Sequence, residues 1–225
     1  MKGNGAKQER TKRGIIIIDD HPLFRKGVIQ MLSGESDLEV RAEAESSPAA
    51  LEVMRKTPLD LAIVDIGLHG STNGIELTKS IKAEHPLLPV LVLSMHDETL
   101  YADRALRAGA SGYLMKREAL DSVIAAVRAV LDGEIYVSPT MSKRMIAEHV
   151  SAGGQARSPI AKLTDRELEV LQLIGEGNDV RDIAAKLHLS AKTVEAHRAH
   201  IKEKLDMKNA REVARFATTW VEQQR

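Results

Sequence analysis

Three residue types at recurring positions carry the chemistry of this chain. Asp19 and Asp20 close a run of four isoleucines, Ile15–Ile18, and Asp65 lies at the end of the apolar run Leu59–Ile66. A hydroxyl, Ser94, closes Val90–Ser94, and an ammonium, Lys116, follows Gly112–Met115. Three carboxylates gathered without a counter-ion would repel strongly. Oxygen ligands without His or Cys suit a hard cation such as Mg²⁺, held by one or two carboxylates together with a phosphate. A carboxylate can also act as a nucleophile and form an aspartyl-phosphate. A hydroxyl and a lysine beside it would then hold the phosphoryl oxygens, because catalysis of such transfer is mostly positioning and charge neutralisation. Any one of these residues alone reads as a helix cap or a solvated side chain. The set reads as a site.

The elements that must position them follow from the apolar pattern. Ile15–Ile18, Leu38–Ala42, Leu59–Ile66, Val90–Ser94 and Gly112–Met115 are strand candidates. Between and after them, Pro22–Ser33, Ser47 to about Lys56, Asn73–Glu84, Glu98–Ala108 and Glu118–Leu131 have helical spacing, with Ser47 as the expected cap before Pro48. This alternation predicts an α/β fold, a doubly wound five-stranded parallel sheet of flavodoxin-like type, over residues 15–132. In such sheets the ligand site lies beyond the carboxyl ends of the strands, where these residues stand. The first turn, Asp19-Asp-His-Pro22, lacks the glycines of a dinucleotide site.

Residues 133–160 form a linker with one short helix, Thr140–Val150, and a small-residue stretch from Ser151 to Pro159. From residue 161 the pattern is all-α. Thr164-Asp-Arg-Glu167 is a capping box, and Gly175 and Gly177 are expected to end the helix it opens. Val180–Leu187, Ala191–Leu205 capped by Ser190, and a last helix opened by Asn209 complete four helices. The pair Val180–Leu187 and Ala191–Leu205, joined by His188-Leu-Ser190, has the lengths and short turn of a helix-turn-helix. In its second helix Val194, Ile201 and Leu205 share one side, and Lys192, Glu195, Ala196 and Ala199 point away. That pattern fits groove insertion and an ordinary amphipathic surface helix about equally.

The whole chain of 225 residues has no net charge, and its distribution is uneven. Residues 1–14, a basic tail, have five basic and one acidic side chain (+4). Residues 15–132 have twelve basic and eighteen acidic (−6), residues 133–160 three and two (+1), and residues 161–225 twelve and eleven (+1). The zero total therefore does not exclude nucleic acid. Cys is absent, which removes disulfides and thiol chemistry and fits a cytoplasmic protein. No apolar run approaches membrane length, so no membrane role is expected. One Trp, three Tyr and two Phe are too few for a platform that stacks single-stranded bases.

Residues 15–132 resemble a response-regulator receiver domain. The resemblance rests on Asp19-Asp20, on Asp65 in the phosphoacceptor position, on Ser94 in the Thr/Ser position, on Lys116, and on Tyr113 at the aromatic switch position. It implies that Asp20, Asp65 and the Gly67 carbonyl hold Mg²⁺, with Asp19 helping partly through water. It also implies a sensor histidine kinase as phosphoryl donor, replaceable by a small phosphodonor. The stretch Asp65-Ile-Gly-Leu-His69-Gly-Ser-Thr-Asn-Gly74 departs from the family's usual Asp-x-x-x-Pro-Gly-x-x-Gly by placing His69 for Pro and adding one residue. His69 reads as a solvated loop residue or as a modulator of the phosphate.

The C-terminal segments Leu163-Thr-Asp-Arg-Glu167, Gly177-Asn-x-x-x-Asp-Ile183-Ala and Leu189-Ser-x-Lys-Thr193-Val-Glu-x-His197-Arg-x-x-Ile201-x-x-Lys204-Leu205 resemble the LuxR-type helix-turn-helix. Together the two parts resemble a NarL/FixJ-family response regulator over nearly the entire chain. This implies phosphorylation-controlled binding of double-stranded promoter DNA by a homodimer, with RNA polymerase as a further partner, and no enzymatic turnover beyond the chain's own phosphoryl group. By geometry Glu195 suits a cytosine amine, and Ala196 or Ala199 a thymine methyl. Lys192, Thr193, Arg198, Lys202 and Lys204 suit phosphates. Trp220 in the last helix is expected to anchor a dimer. Two other readings stand beside this one. A haloacid-dehalogenase-type phosphohydrolase would share the aspartyl-phosphate but wants Asp-x-Asp, where this chain has Asp65-Ile-Gly67. A regulator that binds DNA without phosphorylation is suggested by His69 and the longer loop.

Overall fold

The computed structural model describes residues 12–68, 72–95, 98–150 and 159–223. Five strands, β1 (Arg13–Ile18), β2 (Leu38–Ala44), β3 (Leu61–Asp65), β4 (Val90–Ser94) and β5 (Gly112–Met115), form an all-parallel sheet in the order β2-β1-β3-β4-β5. The helices α1 (Pro22–Ser33), α2 (Ser47–Met54), α3 (Gly74–Glu84), α4 (Glu98–Arg107) and α5 (Ala119–Leu131) connect and follow the strands. Isoleucine and valine fill the sheet because it is covered on both faces, which calls for β-branched runs rather than alternation. Ile15, Ile17 and Ile63 pack against Val123 and Val127 of α5, whereas Ile16, Ile18 and Val64 pack against Ile75 and Ile81 of α3. The order reverses between β1 and β3, so the crevice at their carboxyl ends is the expected binding position.

Several local expectations are revised. β1 begins at Arg13, inside the segment expected to be tail, because the Arg13 guanidinium and the Gly14 N–H both bond the Asp60 carboxylate. The cap of α2 is Ser46, not Ser47, and Ser47 lies buried in the first turn with Pro48 beside it. Strand β5 would expose an edge. The segment after α5 covers it, with the Tyr113 N–H bonded to the Tyr136 carbonyl at 2.7 Å.

The linker helix α6 spans Pro139–Val150. Beyond it a 3₁₀ turn, Pro159–Lys162, leads into α7 (Asp165–Gly175), α8 (Val180–Leu187), α9 (Ala191–Lys204) and α10 (Ala210–Glu222). Each start is capped. Thr164 and Glu167 form a capping box, Asp179 and Asp182 form a second, and Ser190 and Asn209 accept from the N–H groups of Thr193 and Glu212. α7 ends at Gly175, with Gly177 (φ 87°) just beyond it, as expected. A Cβ at Gly175 would stand 2.4 Å from the Ala217 carbonyl oxygen, so the residue is small because α10 crosses at that point. Trp220 is buried with Val213 and Ala217 in the core of these helices, so its ring is not presented to a second chain. The basic tail up to residue 11, His69 and the added loop residue, and the stretch 151–158 lie outside the described residues.

Candidate phosphoacceptor site and DNA-binding face

Register brings the sequence-distant side chains to one edge. Asp65 pairs with Leu93, and Ser94 with Met115, so Asp65, Ser94 and Lys116 end three adjacent strands at nearly one level. Asp19 follows β1, next to β3. The Lys116 ammonium lies 2.7 Å from Asp19 Oδ2 and 2.7 Å from Asp65 Oδ2. Asp19, Asp65, Ser94 and Lys116 are all buried, which strengthens these interactions by excluding water. Lys116 also stacks over the Phe24 ring of α1, 4.6 Å from its centroid. Gly67 donates its N–H to Asp65 Oδ1 at 3.2 Å. Tyr113 is fully buried on β5.

Two residues of the site went unread in the sequence. His21 Nδ1 lies 2.8 Å from Asp20 Oδ1, 3.2 Å from Asp19 Oδ1 and 3.6 Å from Asp65 Oδ2. Arg25, buried on α1, donates from Nη1 to the Asp19 carbonyl at 2.5 Å while Glu43 and Glu45 hold its other nitrogens. The Asp19–Pro22 turn is therefore clamped from α1 and β2. Adjacency to Asp19-Asp20 was the available signal for His21. A lone arginine among the apolar positions of a helix was the signal for Arg25.

The electrostatics follow from these contacts. Burial works against ionisation of Asp65. The His21 contact, the Lys116 charge and hydrogen bond, and the Gly67 N–H outweigh it, so Asp65 is held below the usual carboxylate range. His21 is raised by its contact with Asp65, with burial opposing. Single ligand atoms of Asp19, Asp20, His21 and Asp65 all lie within 4.8 Å of one another. Three carboxylates with one lysine, set against Asp19 and Asp65, leave net negative charge and a set of oxygen donors that fits a hard divalent cation.

The second face is built on α9. Val194 and Ile201 are fully buried, and Lys192, Thr193, Glu195, Ala196, Ala199 and Lys202 are exposed. His188 closes α8 in the left-handed conformation (φ 51°), which produces the tight turn into α9. Two expected phosphate contacts are engaged elsewhere. Lys204 Nζ bonds Glu167 Oε2 at 2.6 Å, and Arg198 Nη1 lies 3.3 Å from Glu195 Oε1. Glu167 thereby ties the start of α7 to the end of α9, and it also accepts the Thr164 N–H.

An acidic parallel α/β unit followed by a helix-turn-helix unit defines a class of two-part regulators, and comparison with known proteins narrows it. Residues 15–128 match the response regulator receiver domain, and residues 161–217 match the bacterial regulatory proteins of the luxR family. The chain belongs to the NarL/FixJ family of two-component response regulators and is a transcriptional regulator with a LuxR-type DNA-binding domain. It is 36% identical over 208 residues to the oxygen regulatory protein NreC of Staphylococcus carnosus, covering 90% of this chain and 95% of that protein. It is 37% identical over 211 residues to the transcriptional regulatory protein DegU of Brevibacillus brevis, covering 88% and 89%. Among solved structures, the RcsB response regulator of Salmonella typhimurium is similar with a TM-score of 0.65 at 27% identity, covering 93% and 98%. A second, RcsB of Salmonella enterica serovar Typhimurium bound to promoter rprA in the presence of the phosphomimetic BeF₃⁻, has a TM-score of 0.61 at 28% identity, covering 92% and 99%. Within the described residues no helix is long and apolar enough to cross a membrane.

Proposed function

We propose that Asp65 accepts a phosphoryl group from a sensor histidine kinase and that this modification switches binding of promoter DNA by a homodimer. The observation that carries the reading is the Lys116 ammonium, bridging Asp19 and Asp65 at 2.7 Å each in a buried pocket. Asp65, kept ionised by its neighbours, is the nucleophile. Lys116 and Ser94 stand on the strands beside it to take the charge that the phosphoryl group brings. Asp19, Asp20, Asp65 and the Gly67 carbonyl would hold Mg²⁺, which supplies charge neutralisation at the phosphoryl oxygens. Arg25 keeps the Asp19 turn in place, and His21 stands at the mouth of the pocket, half exposed.

The chemistry is confined to the chain's own phosphoryl group, with no turnover of an external substrate. DNA is met by the exposed side of α9, in keeping with the RcsB dimers described as bound to DNA. RNA polymerase is a further partner in this reading, and the compartment is the cytoplasm. A phosphate-mimic titration followed by a DNA gel shift tests it. Wild type gains DNA affinity with the mimic, and Asp65→Asn does not. Equal affinity of both proteins under both conditions would overturn the proposal.

A further inference from the structure

Among the described residues, three contacts hold the Lys116 ammonium, and phosphoryl transfer affects them differently. Two are the carboxylates of Asp19 and Asp65, each 2.7 Å away. The third is the face of the Phe24 ring, with its centroid 4.6 Å from Nζ. A lysine head is a compact charge on a flexible four-carbon stem, without a planar fork to fix its direction. The 3₁₀ turn Lys116–Glu118 sets the backbone here, but the place of the ammonium depends on those contacts. The two carboxylates do not stay constant through the reaction proposed above. Asp65 loses its carboxylate charge on becoming an acyl phosphate, and Asp19 shares its oxygens with the cation it would help to hold. The ring neither ionises nor ligates a metal, so it is the contact that persists.

Phe24 is itself fixed from two directions. It stands in the first turn of α1, and the next residue, Arg25, ties that turn to the Asp19 carbonyl, Glu43 and Glu45. The ring also packs against the apolar cluster that holds Ile17, Leu114, Ala119 and Val123. Leu114 and Ala119 lie on either side of Lys116 in the chain, so the ring and the base of the lysine stem share one support. Phe24 is half-buried and Lys116 is 5% exposed, so on the α1 side the ring stands between the ammonium and solvent. A cation over an aromatic face is held more tightly where water is excluded.

We propose that Phe24 is a positioning residue for phosphoryl transfer: its ring face keeps the Lys116 ammonium beside Asp65 while the Asp65 carboxylate is consumed. This role rests on Asp65 being the phosphoacceptor, as proposed above. In the step itself an Asp65 carboxylate oxygen bonds to phosphorus. The donor's bond to phosphorus breaks, and its electron pair leaves with the donor atom. Phe24 touches neither reacting group and acts only on where the Lys116 charge stands. That is enough to set the rate, because this chemistry is accelerated mainly by positioning and charge neutralisation.

The test uses the full-length chain with Mg²⁺ and phosphoramidate, whose P–N bond breaks to release ammonia. The rate of Asp65 labelling is compared in wild type, Phe24→Leu and Phe24→Tyr. It is also measured in chains that carry phenylalanine with one, two or three ring fluorines at residue 24. Fluorine nearly preserves the size of the ring and weakens its negative face step by step. The rate should fall about tenfold in Phe24→Leu and return to within about twofold of wild type in Phe24→Tyr. Along the fluorinated series it should decline progressively. A second readout needs no donor: the Lys116 ε-methylene protons should be shifted upfield by the ring in wild type and lose that shift in Phe24→Leu. A flat fluorinated series, or a Phe24→Leu chain as fast as wild type, would reduce the ring to packing and overturn the proposal. Unshifted ε-methylene protons in wild type would overturn it as well. A wild type that takes no phosphoryl group on Asp65 would sink the function proposed above and this role with it, whereas a labelled wild type with a flat series would sink the role of the ring alone.

Discussion

Gly74→Ala isolates the close approach that holds Asp65 in position. A Cβ at residue 74 would stand 1.9 Å from the Asp65 carbonyl oxygen, 2.7 Å from its carbonyl carbon and 2.8 Å from the Ile66 Cα. All three are backbone atoms, so no side chain can swing aside. Non-bonded carbon and oxygen need more than about 3 Å, and the start of α3 must therefore retreat by about 1 Å. The retreat pulls on the bond from the Gly74 N–H to the Ile66 carbonyl, now 2.9 Å, and on the bond from the Thr78 hydroxyl to the Gly74 carbonyl, now 2.8 Å. Overpacking of this kind costs about 1–3 kcal/mol, and a weakened buried hydrogen bond adds about 1 kcal/mol. The expected loss is about 3 kcal/mol in the receiver. With a urea slope of about 1–3 kcal/mol/M, its midpoint falls by about 1–3 M. Trp220, the single tryptophan, lies in the core of α7–α10, so its fluorescence follows the effector helices while far-UV ellipticity follows the whole chain. The variant should show an early ellipticity transition without a matching early change in fluorescence. An ellipticity midpoint within about 0.3 M of wild type would refute the argument that this approach fixes the loop.

Other consequences follow from single contacts. Lys116→Met removes one of the groups that offset burial at Asp65, so the Asp65 carboxyl should titrate higher, as ¹³C NMR would detect; an unchanged titration would show that Lys116 does not set its charge. Glu167 is opposed by burial and held below the usual carboxylate range by Lys204 and Thr164. Because its folded value is depressed, its contribution is complete above the unfolded value of about 4.3 and is lost as pH falls through the lower folded value. Glu167→Gln should therefore flatten the acid limb of effector stability read from Trp220 fluorescence. On DNA, Glu195→Ala should relax preference at one base position by about 1–3 kcal/mol. Lys192→Ala should instead weaken all sequences alike and reduce the salt slope by about 0.9. Selection from a random pool and a salt titration distinguish the two.

The parts of the molecule that were legible in the sequence are those governed by local rules. Continuous β-branched runs announced a sheet buried on both faces, and the side chains at the ends of those runs announced the pocket. The caps at Thr164, Ser190 and Asn209 were legible because a cap is a matter of three or four neighbouring residues. Less legible were effects that depend on approach between distant segments. Gly175 ends α7 as its position suggested, but the close approach of Ala217 that also keeps it small was not legible, and Trp220, expected to anchor a dimer, is enclosed by the other helices. Lys204 had the position of a phosphate contact, but Glu167, 37 residues away, takes its charge. Asn73 was legible as the start of α3, but not as a bond donor to Glu169, 96 residues further on.

The measurement that bears most directly on the account is localisation of the phosphoryl group. The full-length chain is incubated with Mg²⁺ and a small phosphodonor, and the modified residue is mapped by mass spectrometry beside a promoter-binding assay on the same sample. The account predicts one acid-labile acyl phosphate on Asp65, lost in Asp65→Asn, with tighter DNA binding in the modified fraction. Phosphate on another residue, or an Asp65-modified fraction that binds DNA no differently from the unmodified chain, would contradict it.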